Sequence, residues 1–240
     1  IERARLVREC AKKLGREATS PEPYTAHFMG PRDAARLNEA ARTNKPGTAA
    51  ELFPRARSYL DVYAQHGLVG ARSMFAHGIW LDAQDHALLA REQAALAHCP
   101  TSNLFLGSGL MPWRALADAG VAVTMASDVG GGTSLSMQRT LAAAVAVQAL
   151  QHTRLPAWQA LYAATRGAAR ALSLEHEIGS FDVGCTADLA LWHWARGAVA
   201  TARDEASRSL HERVFAWMML SDERNLVATW VAGQERFAST

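Results

Sequence analysis

Cysteine is scarce in this chain, and the few cysteines present are not spaced as a metal site requires. The 240 residues contain only Cys10, Cys99 and Cys185, and no two of them form a Cys-x-x-Cys pair. This distribution argues against a disulfide framework and against a zinc site built from thiolates. A reducing compartment suits such a chain, and we predict a cytoplasmic location.

Long hydrophobic runs and clusters of a single charge are also absent. No apolar stretch approaches the roughly 20 residues that cross a bilayer, and the start of the chain lacks a signal-peptide pattern. Lysine and arginine total 25 against 23 aspartates and glutamates, without a long basic run. The sequence therefore predicts a soluble protein that binds neither a membrane nor a nucleic acid. Because the chain begins with Ile1 inside a helical pattern, we expect an upstream portion.

Helical segments alternate with short apolar segments over most of the chain. Its 49% of hydrophobic residues are enough to bury a large core. Predicted helices lie at 32–44, 54–65, 83–93, 112–119, 134–150, 158–165 and 167–172, and predicted strands at 73–76, 94–97 and 121–126. This order is typical of an α/β fold with a parallel sheet. The region 176–240, with strands predicted at 187–192 and 225–231, a turn at 233–234 and one helix, reads as a small β-rich appendage to the α/β part at 1–175.

Three of the predicted strands end in a side chain suited to metal-dependent hydrolysis. His77, His98 and Asp128 follow these strands, and the glycines at 130–132 allow a tight turn after Asp128. Because the carboxyl ends of parallel strands meet at one edge, these side chains are expected to converge. A hydrolase with one divalent metal needs imidazoles and a carboxylate around a common point. The alternative role for Asp128 is a helix cap, although Thr133 lies nearer the predicted helix.

Several longer motifs resemble the guanine deaminases of the amidohydrolase superfamily, in the C-terminal part of the family's sequences. The matching segments are Glu51–Pro54, Tyr59–Tyr63, Phe75–Gly78, His98–Gly109, Ser127–Ser134 and Gly184–Asp188. The resemblance runs from about residue 50 to the end of the chain. It implies a (β/α)8 barrel, of which this chain would supply approximately strands 5–8 together with part of a small β-rich domain.

The resemblance also implies a reaction and roles for matched residues. The reaction would be the zinc-dependent hydrolysis of guanine to xanthine and ammonia, in an enzyme that we expect to be a homodimer. Asp128 resembles the final-strand aspartate that binds one zinc ion and moves protons, and His77 resembles the sixth-strand histidine that contacts water or substrate. The segment His98–Asn103 resembles a loop beside the pocket, where a structural role and a substrate contact remain equally open.

Two motifs of the family are missing or displaced in this chain. The His-x-His pair of the first barrel strand does not occur. For the fifth-strand motif His-x-x-Glu-Asn, one register makes His27 the zinc ligand but places Gly30 where the glutamate belongs. Counting back from Pro54 instead makes Glu39 the catalytic acid and places Arg36 where the histidine belongs. His27 is thus the candidate metal ligand and Glu39 the candidate acid, from competing registers.

Two other interpretations stay open at this point. Another amidohydrolase, acting on a different aminated or halogenated heterocycle, would keep the histidine and aspartate at the strand ends and differ in its pocket loops. A degenerate fragment without catalysis would keep the same motifs as traces of ancestry. Since much of the ligand set is missing, we expect the 240-residue chain alone to be inactive.

Overall fold

The computed structural model describes residues 56–239, and its contacts divide the chain at Gly70. The first unit contains the described helix α1, Tyr59–Gln65. The backbone at Ser58 is extended, and the Ser58 hydroxyl accepts a hydrogen bond from the backbone N–H of Asp61 at 3.1 Å, which is an N-terminal cap. The helix predicted from Pro54 therefore begins at Tyr59. Pro54 itself and the predicted helix at 32–44 lie outside the described residues.

A three-stranded parallel sheet forms the centre of the second unit. Its strands are β1, Met74–Ala76, β2, Ala95–His98, and β3, Ala122–Met125, in the order β1-β2-β3. All four residues of β2 are buried, as expected for the middle strand of a covered sheet. The predicted parallel sheet is confirmed, and within residues 56–239 it stays open rather than closing into a barrel.

Helices follow each strand of this sheet and supply much of the core. They are α2, Ala83–Arg91, α3, Pro100–Leu106, α4, Trp113–Asp118, and α5, Met137–Leu150. Leu89, Leu96, Leu116 and Leu141 are almost fully buried in this core. The mixed α/β architecture agrees with the alternation of segments in the sequence.

Helix α3 corrects the prediction of a loop after β2. Pro100 stands at the first helical position, where its missing N–H removes no hydrogen bond. Gly107 ends the helix in the left-handed conformation, with φ of 66°. Both signals are present in the sequence, but the short length of the segment concealed them.

The rest of the second unit contains four helices and a second sheet. The helices are α6, Ala157–Ala164, α7, Arg166–Ala171, α8, Ala198–Glu205, and α9, Leu210–Leu220; a 3₁₀ turn spans Glu223–Asn225. The strands β4, Leu189–Trp192, β5, Leu226–Val231, and β6, Gln234–Ala238, form an antiparallel sheet.

Two details of the region after residue 175 differ from its prediction. It contains the two helices α8 and α9 rather than one, and α9 packs against α5 and α6. Gln234, predicted as part of a turn, opens β6 because the tight turn lies one residue earlier, at Ala232 and Gly233. Both residues of that turn have positive φ, which matches a two-residue hairpin. Among the described helices, none has both the length and the hydropathy to span a membrane.

Candidate active site

The glycine turn after β3 fixes the position of Asp128. The carbonyl oxygen of Asp128 accepts hydrogen bonds from the N–H groups of Gly131 and Gly132. A Cβ atom at Gly132 would lie 1.9 Å from the carbonyl oxygen of Ser127, so no larger residue fits this close approach. Asp128 itself has φ of 50°, a left-handed backbone that a tight turn imposes. The turn thus holds the carboxylate just beyond the end of the strand.

His77 is held in a similar way just beyond β1. Its backbone N–H donates to the carbonyl of Ala97 at 3.0 Å, which continues the pairing of β1 with β2. Its φ is 73°, so both site residues predicted at strand ends have the uncommon left-handed backbone. Such conformations cluster at active sites, where the surrounding structure maintains them. His77 and Asp128 are therefore positioned by local backbone geometry as well as by the sheet.

The structure brings His77 and Asp128 together. The distance from Nε2 of His77 to Oδ2 of Asp128 is 3.9 Å, and the two side chains are 43% and 39% exposed. This separation is too long for a hydrogen bond but short enough for both atoms to contact one metal ion or one water molecule. The convergence expected from the strand ends is thus seen for these two residues.

Cys99 places a third potential ligand atom beside them. Its Sγ, a ring nitrogen of His77 and a carboxylate oxygen of Asp128 lie within 4.8 Å of one another. However, the thiol is buried and donates a hydrogen bond to the carbonyl of Ala97 at 3.4 Å. Burial raises the pKa of Cys99 to about 11; the backbone N–H of His77 opposes this rise, and the charge of Asp128 adds to it. The thiol is therefore protonated at neutral pH.

These donors fit part of a zinc coordination sphere. Zinc accepts imidazole nitrogen and carboxylate oxygen, which His77 and Asp128 present within 4.8 Å of each other. A zinc site in a hydrolase needs about three protein ligands and an open position. The described residues supply these two donors, and the thiol of Cys99 is engaged with the backbone instead.

The first turn of α3 forms the wall of the site. Thr101 Oγ1 donates to the carbonyl of Ser127 at 3.4 Å, which ties the helix to the turn that carries Asp128. A Cβ atom at Gly131 would lie 2.8 Å from Ser102 Oγ and 3.3 Å from Asp128 Oδ2, so the hydroxyl and the carboxylate line the same small space. Asn103 Oδ1 lies 2.8 Å from Nδ1 of His77. Thr101 thus contacts the residue before Asp128, Ser102 lines the space beside the Asp128 carboxylate, and Asn103 contacts His77.

Two buried polar atoms of this wall lack partners among the described residues. They are Ser102 Oγ and Asn103 Nδ2, on side chains that are 0% and 2% exposed. A buried donor without a partner costs about 1–3 kcal/mol, so such groups in native proteins usually meet a water, an ion or a ligand. The wall therefore offers hydrogen-bonding capacity directly beside His77 and Asp128.

His98 occupies a different environment from His77, although both follow the same sequence pattern. Its ring is 0% exposed and contacts Trp113 edge to face, with ring centroids 5.7 Å apart. Burial lowers the pKa of His98 to about 4, so the ring is neutral at physiological pH. His98 lies within β2 rather than beyond its end, which explains why it belongs to the core.

The remaining predicted site residues, His27 and Glu39, lie outside the described residues and stay predictions. Sequence reasoning missed the contacts of Cys99 and Asn103 with His77. The signal that could have found them is the proline of Cys99-Pro100, because a helix beginning there turns residue 103 back toward the strand ends.

Comparison with protein families and known sequences identifies similar proteins. The family model described as "Amidohydrolase family" matches residues 47–236. The guanine deaminase of Escherichia coli (strain K12) is 39% identical over 183 residues, which are 76% of this chain and 42% of that protein. A probable guanine deaminase of Deinococcus radiodurans is 38% identical over 191 residues, covering 78% of this chain and 43% of that protein. The chain thus spans less than half the length of these relatives.

Solved structures show the same similarity in three dimensions. The E. coli guanine deaminase matches with a TM-score of 0.78 and 32% identity, covering 88% of this chain and 52% of that one. An adenosine deaminase from Xanthomonas campestris with bound zinc matches with a TM-score of 0.68 and 26% identity, over 86% and 49% of the two chains. A guanine deaminase from C. acetobutylicum with guanine in its active site matches with a TM-score of 0.69 and 26% identity, over 85% and 51%.

Proposed function

The chain belongs to the amidohydrolase family, and we propose that it supplies the His77–Asp128 part of an active site that hydrolyses guanine to xanthine and ammonia with one zinc ion. The single observation that carries this proposal is the 3.9 Å approach of His77 Nε2 to Asp128 Oδ2, at the carboxyl ends of β1 and β3, the two strands that flank β2. In α/β enzymes with parallel strands, this end of the sheet is where chemistry takes place.

The proposed architecture is the second half of a (β/α)8 barrel. The strands β1, β2 and β3 would be consecutive barrel strands, and the match to the E. coli structure over 52% of its length supports this placement. In this proposal residues 1–175 belong to the barrel and 176–240 to the small β-rich part. A homodimer in the cytoplasm is the expected setting of the complete enzyme.

Asp128 would hold the zinc ion, and His77 would contact the water or the substrate beside it. When bound, zinc supplies Lewis-acid chemistry that makes water a nucleophile near neutral pH. The carboxylate of Asp128 would accept a proton from water at this point and return it toward the departing amine. The Nε2 atom of His77 faces the same point and would orient the water or the substrate. His27 as a further ligand and Glu39 as the acid complete the proposal from the sequence.

Guanine is proposed as the substrate because the E. coli and D. radiodurans relatives carry that activity in their names and one similar structure holds guanine. A second candidate is another aminated purine, which the similarity to a zinc-containing adenosine deaminase favours. Both reactions replace an amino group on a purine ring with oxygen. The choice between them rests on the pocket rather than on His77 and Asp128.

The test is turnover by the zinc-supplemented protein, measured as ammonia release from guanine, adenosine and cytosine and as chloride release from a chlorotriazine. Because the chain spans 42% of its E. coli relative, the assay includes a fusion carrying the segment of that relative that precedes the matched region. We expect guanine to be the preferred substrate, and Asp128→Asn to lower kcat by at least about 100-fold, the usual contribution of a positioned proton-transfer group.

Asp118→Asn is the matched control for this substitution. Asp118 pairs with Arg114 on the surface of α4, with side chains that are 60% and 74% exposed. It should leave turnover unchanged, since exposed ion pairs contribute little. Preferred turnover of adenosine would support the second candidate. An active Asp128→Asn protein with undiminished zinc content would refute the role proposed for Asp128.

A further inference from the structure

We propose that Asn103 is a positioning residue for His77: its side-chain oxygen accepts a hydrogen bond from Nδ1–H and so fixes the neutral tautomer whose Nε2 faces Asp128 without a proton. This inference rests on the proposed function, in that it assigns His77 to the active site. The Nδ1–Oδ1 distance is 2.8 Å, which is a short and well-formed hydrogen bond. The two residues are 26 positions apart in sequence, so the tertiary fold brings them together.

The placement of Asn103 is rigid. It stands in the first turn of α3, where its backbone N–H donates to the carbonyl of Cys99 and its own carbonyl accepts from Ser108. The side chain is only 2% exposed, so water does not compete for its oxygen. A buried, anchored acceptor of this kind sets both the orientation and the tautomer of the imidazole that it contacts.

The tautomer matters because it decides what Nε2 of His77 can do. With the proton on Nδ1, Nε2 carries a lone pair that can bind a metal ion or accept a hydrogen bond. With the proton on Nε2, the ring could only donate toward Asp128. The 3.9 Å gap between Nε2 and Asp128 Oδ2 exceeds hydrogen-bond distance, so no donation to this carboxylate stabilises the second tautomer.

A competing role for Asn103 is direct contact with the substrate. Its Nδ2 group has no hydrogen-bond partner among the described residues and could donate to a ligand. The two roles use different atoms of one amide. Asn103→Asp keeps an acceptor oxygen and removes the donor, whereas Asn103→Leu removes both.

The decisive measurement is the tautomer of His77 by ¹⁵N NMR of histidine-labelled full chain at pH 8, without metal or substrate. The signals of His77 are assigned by comparison with His77→Gln. His66 serves as an internal reference, because its Nδ1 lies 2.7 Å from the carbonyl of Val62 and must carry the proton there. We expect the Nδ1–H tautomer for His77 in the unsubstituted protein and in Asn103→Asp. In Asn103→Leu we expect the Nε2–H form to appear while His66 stays unchanged.

The unsubstituted protein alone can overturn the proposal, so it does not depend on a variant that folds poorly. An Nε2–H tautomer of His77 there refutes it, as does an unchanged tautomer in a folded Asn103→Leu. These readouts need no turnover, and they therefore separate failure of this inference from failure of the guanine assay.

Kinetics of the active protein provide the second readout. If Asn103 positions His77, Asn103→Leu should lower kcat about 10- to 100-fold, the usual effect of removing a residue that orients a histidine of a metal site. The KM should change by no more than about twofold. Asn103→Asp should recover most of that loss. A rise in KM in both variants with kcat unchanged would instead assign Asn103 to substrate binding and contradict the positioning role.

Discussion

Burial of His98 predicts that the protein loses stability in mildly acidic solution. The ring is 0% exposed in the middle strand of the parallel sheet, and neither ring nitrogen has a hydrogen-bond partner among the described residues. Burial lowers the pKa of His98 from 6.5 to about 4, because the folded protein offers the charged imidazole nothing to replace water. The folded state therefore resists protonation at pH values where an exposed histidine is already charged.

The sign of the effect follows from proton binding in the two states. As the pH falls through 6.5, the unfolded chain takes up a proton at His98, whereas the folded chain does so only near pH 4. The unfolded state binds more protons in this window, so the free energy of unfolding decreases as the pH falls. At about 1.4 kcal/mol per pH unit the full loss amounts to about 3 kcal/mol. Between pH 7 and pH 5 it amounts to about 2 kcal/mol.

Urea unfolding at pH 7 and pH 5 measures this loss in the unsubstituted protein and in His98→Gln. All other titrating groups are common to both proteins, so the difference between their losses isolates His98. We expect the unsubstituted protein to lose about 2 kcal/mol more than the variant over this interval. Equal losses would refute the reasoning. If His98→Gln does not fold, NMR titration of His98 decides instead, because a ring that is protonated by pH 6 contradicts a pKa of about 4.

Two further predictions concern the turn after β3 and the buried thiol. Gly132→Ala should lower the free energy of unfolding by more than about 2 kcal/mol, because its Cβ would lie 1.9 Å from the carbonyl oxygen of Ser127. The control is Gly70→Ala, whose added Cβ meets no atom of the described residues within 4 Å. Equal stability of the two variants in urea would contradict this prediction. In the native protein at pH 8, iodoacetamide should label the half-buried Cys185 and spare Cys99, whose pKa of about 11 leaves about one thiol in a thousand ionised. Peptide mass spectrometry measures the labelling, with denatured protein as the control for both cysteines. Labelling of Cys99 as fast as that of Cys185 would show that its thiol is neither buried nor protonated.

The parallel sheet could be predicted because its strands carry a signal that depends little on their surroundings. The segments around Met74, Leu96 and Val123 are short apolar runs that end in turn-forming residues, and each is a strand in the structure. Their ends then located His77 and Asp128, since parallel strands share one functional edge. The approach of these two side chains could therefore be predicted from the sequence.

The features of the site that depend on tertiary contacts could not be predicted from the sequence. His77 and His98 both follow apolar runs and occupy corresponding register positions, since Ala76 pairs with Ala97, yet the backbone leaves β1 at His77, with φ of 73°, whereas His98 continues β2. The contact of Asn103 with His77 spans 26 residues and depends on how α3 docks, so Pro100 could indicate that a helix begins there but not that Asn103 contacts His77.

Helix α3 explains how two strained backbones persist at the site. A left-handed backbone at a non-glycine residue costs of order 1–3 kcal/mol, and His77 and Asp128 both have it. Asn103 holds the side chain of His77, and Thr101 holds the carbonyl of Ser127, the residue just before Asp128. One short helix thus fastens both residues, and its own backbone is anchored by Pro100 and Gly107 at its ends. Since the same turn supports both sides of the 3.9 Å gap, displacement of α3 would alter the distance between His77 and Asp128. Precision at the site therefore depends on the packing of α3 as much as on the strands that carry its two side chains.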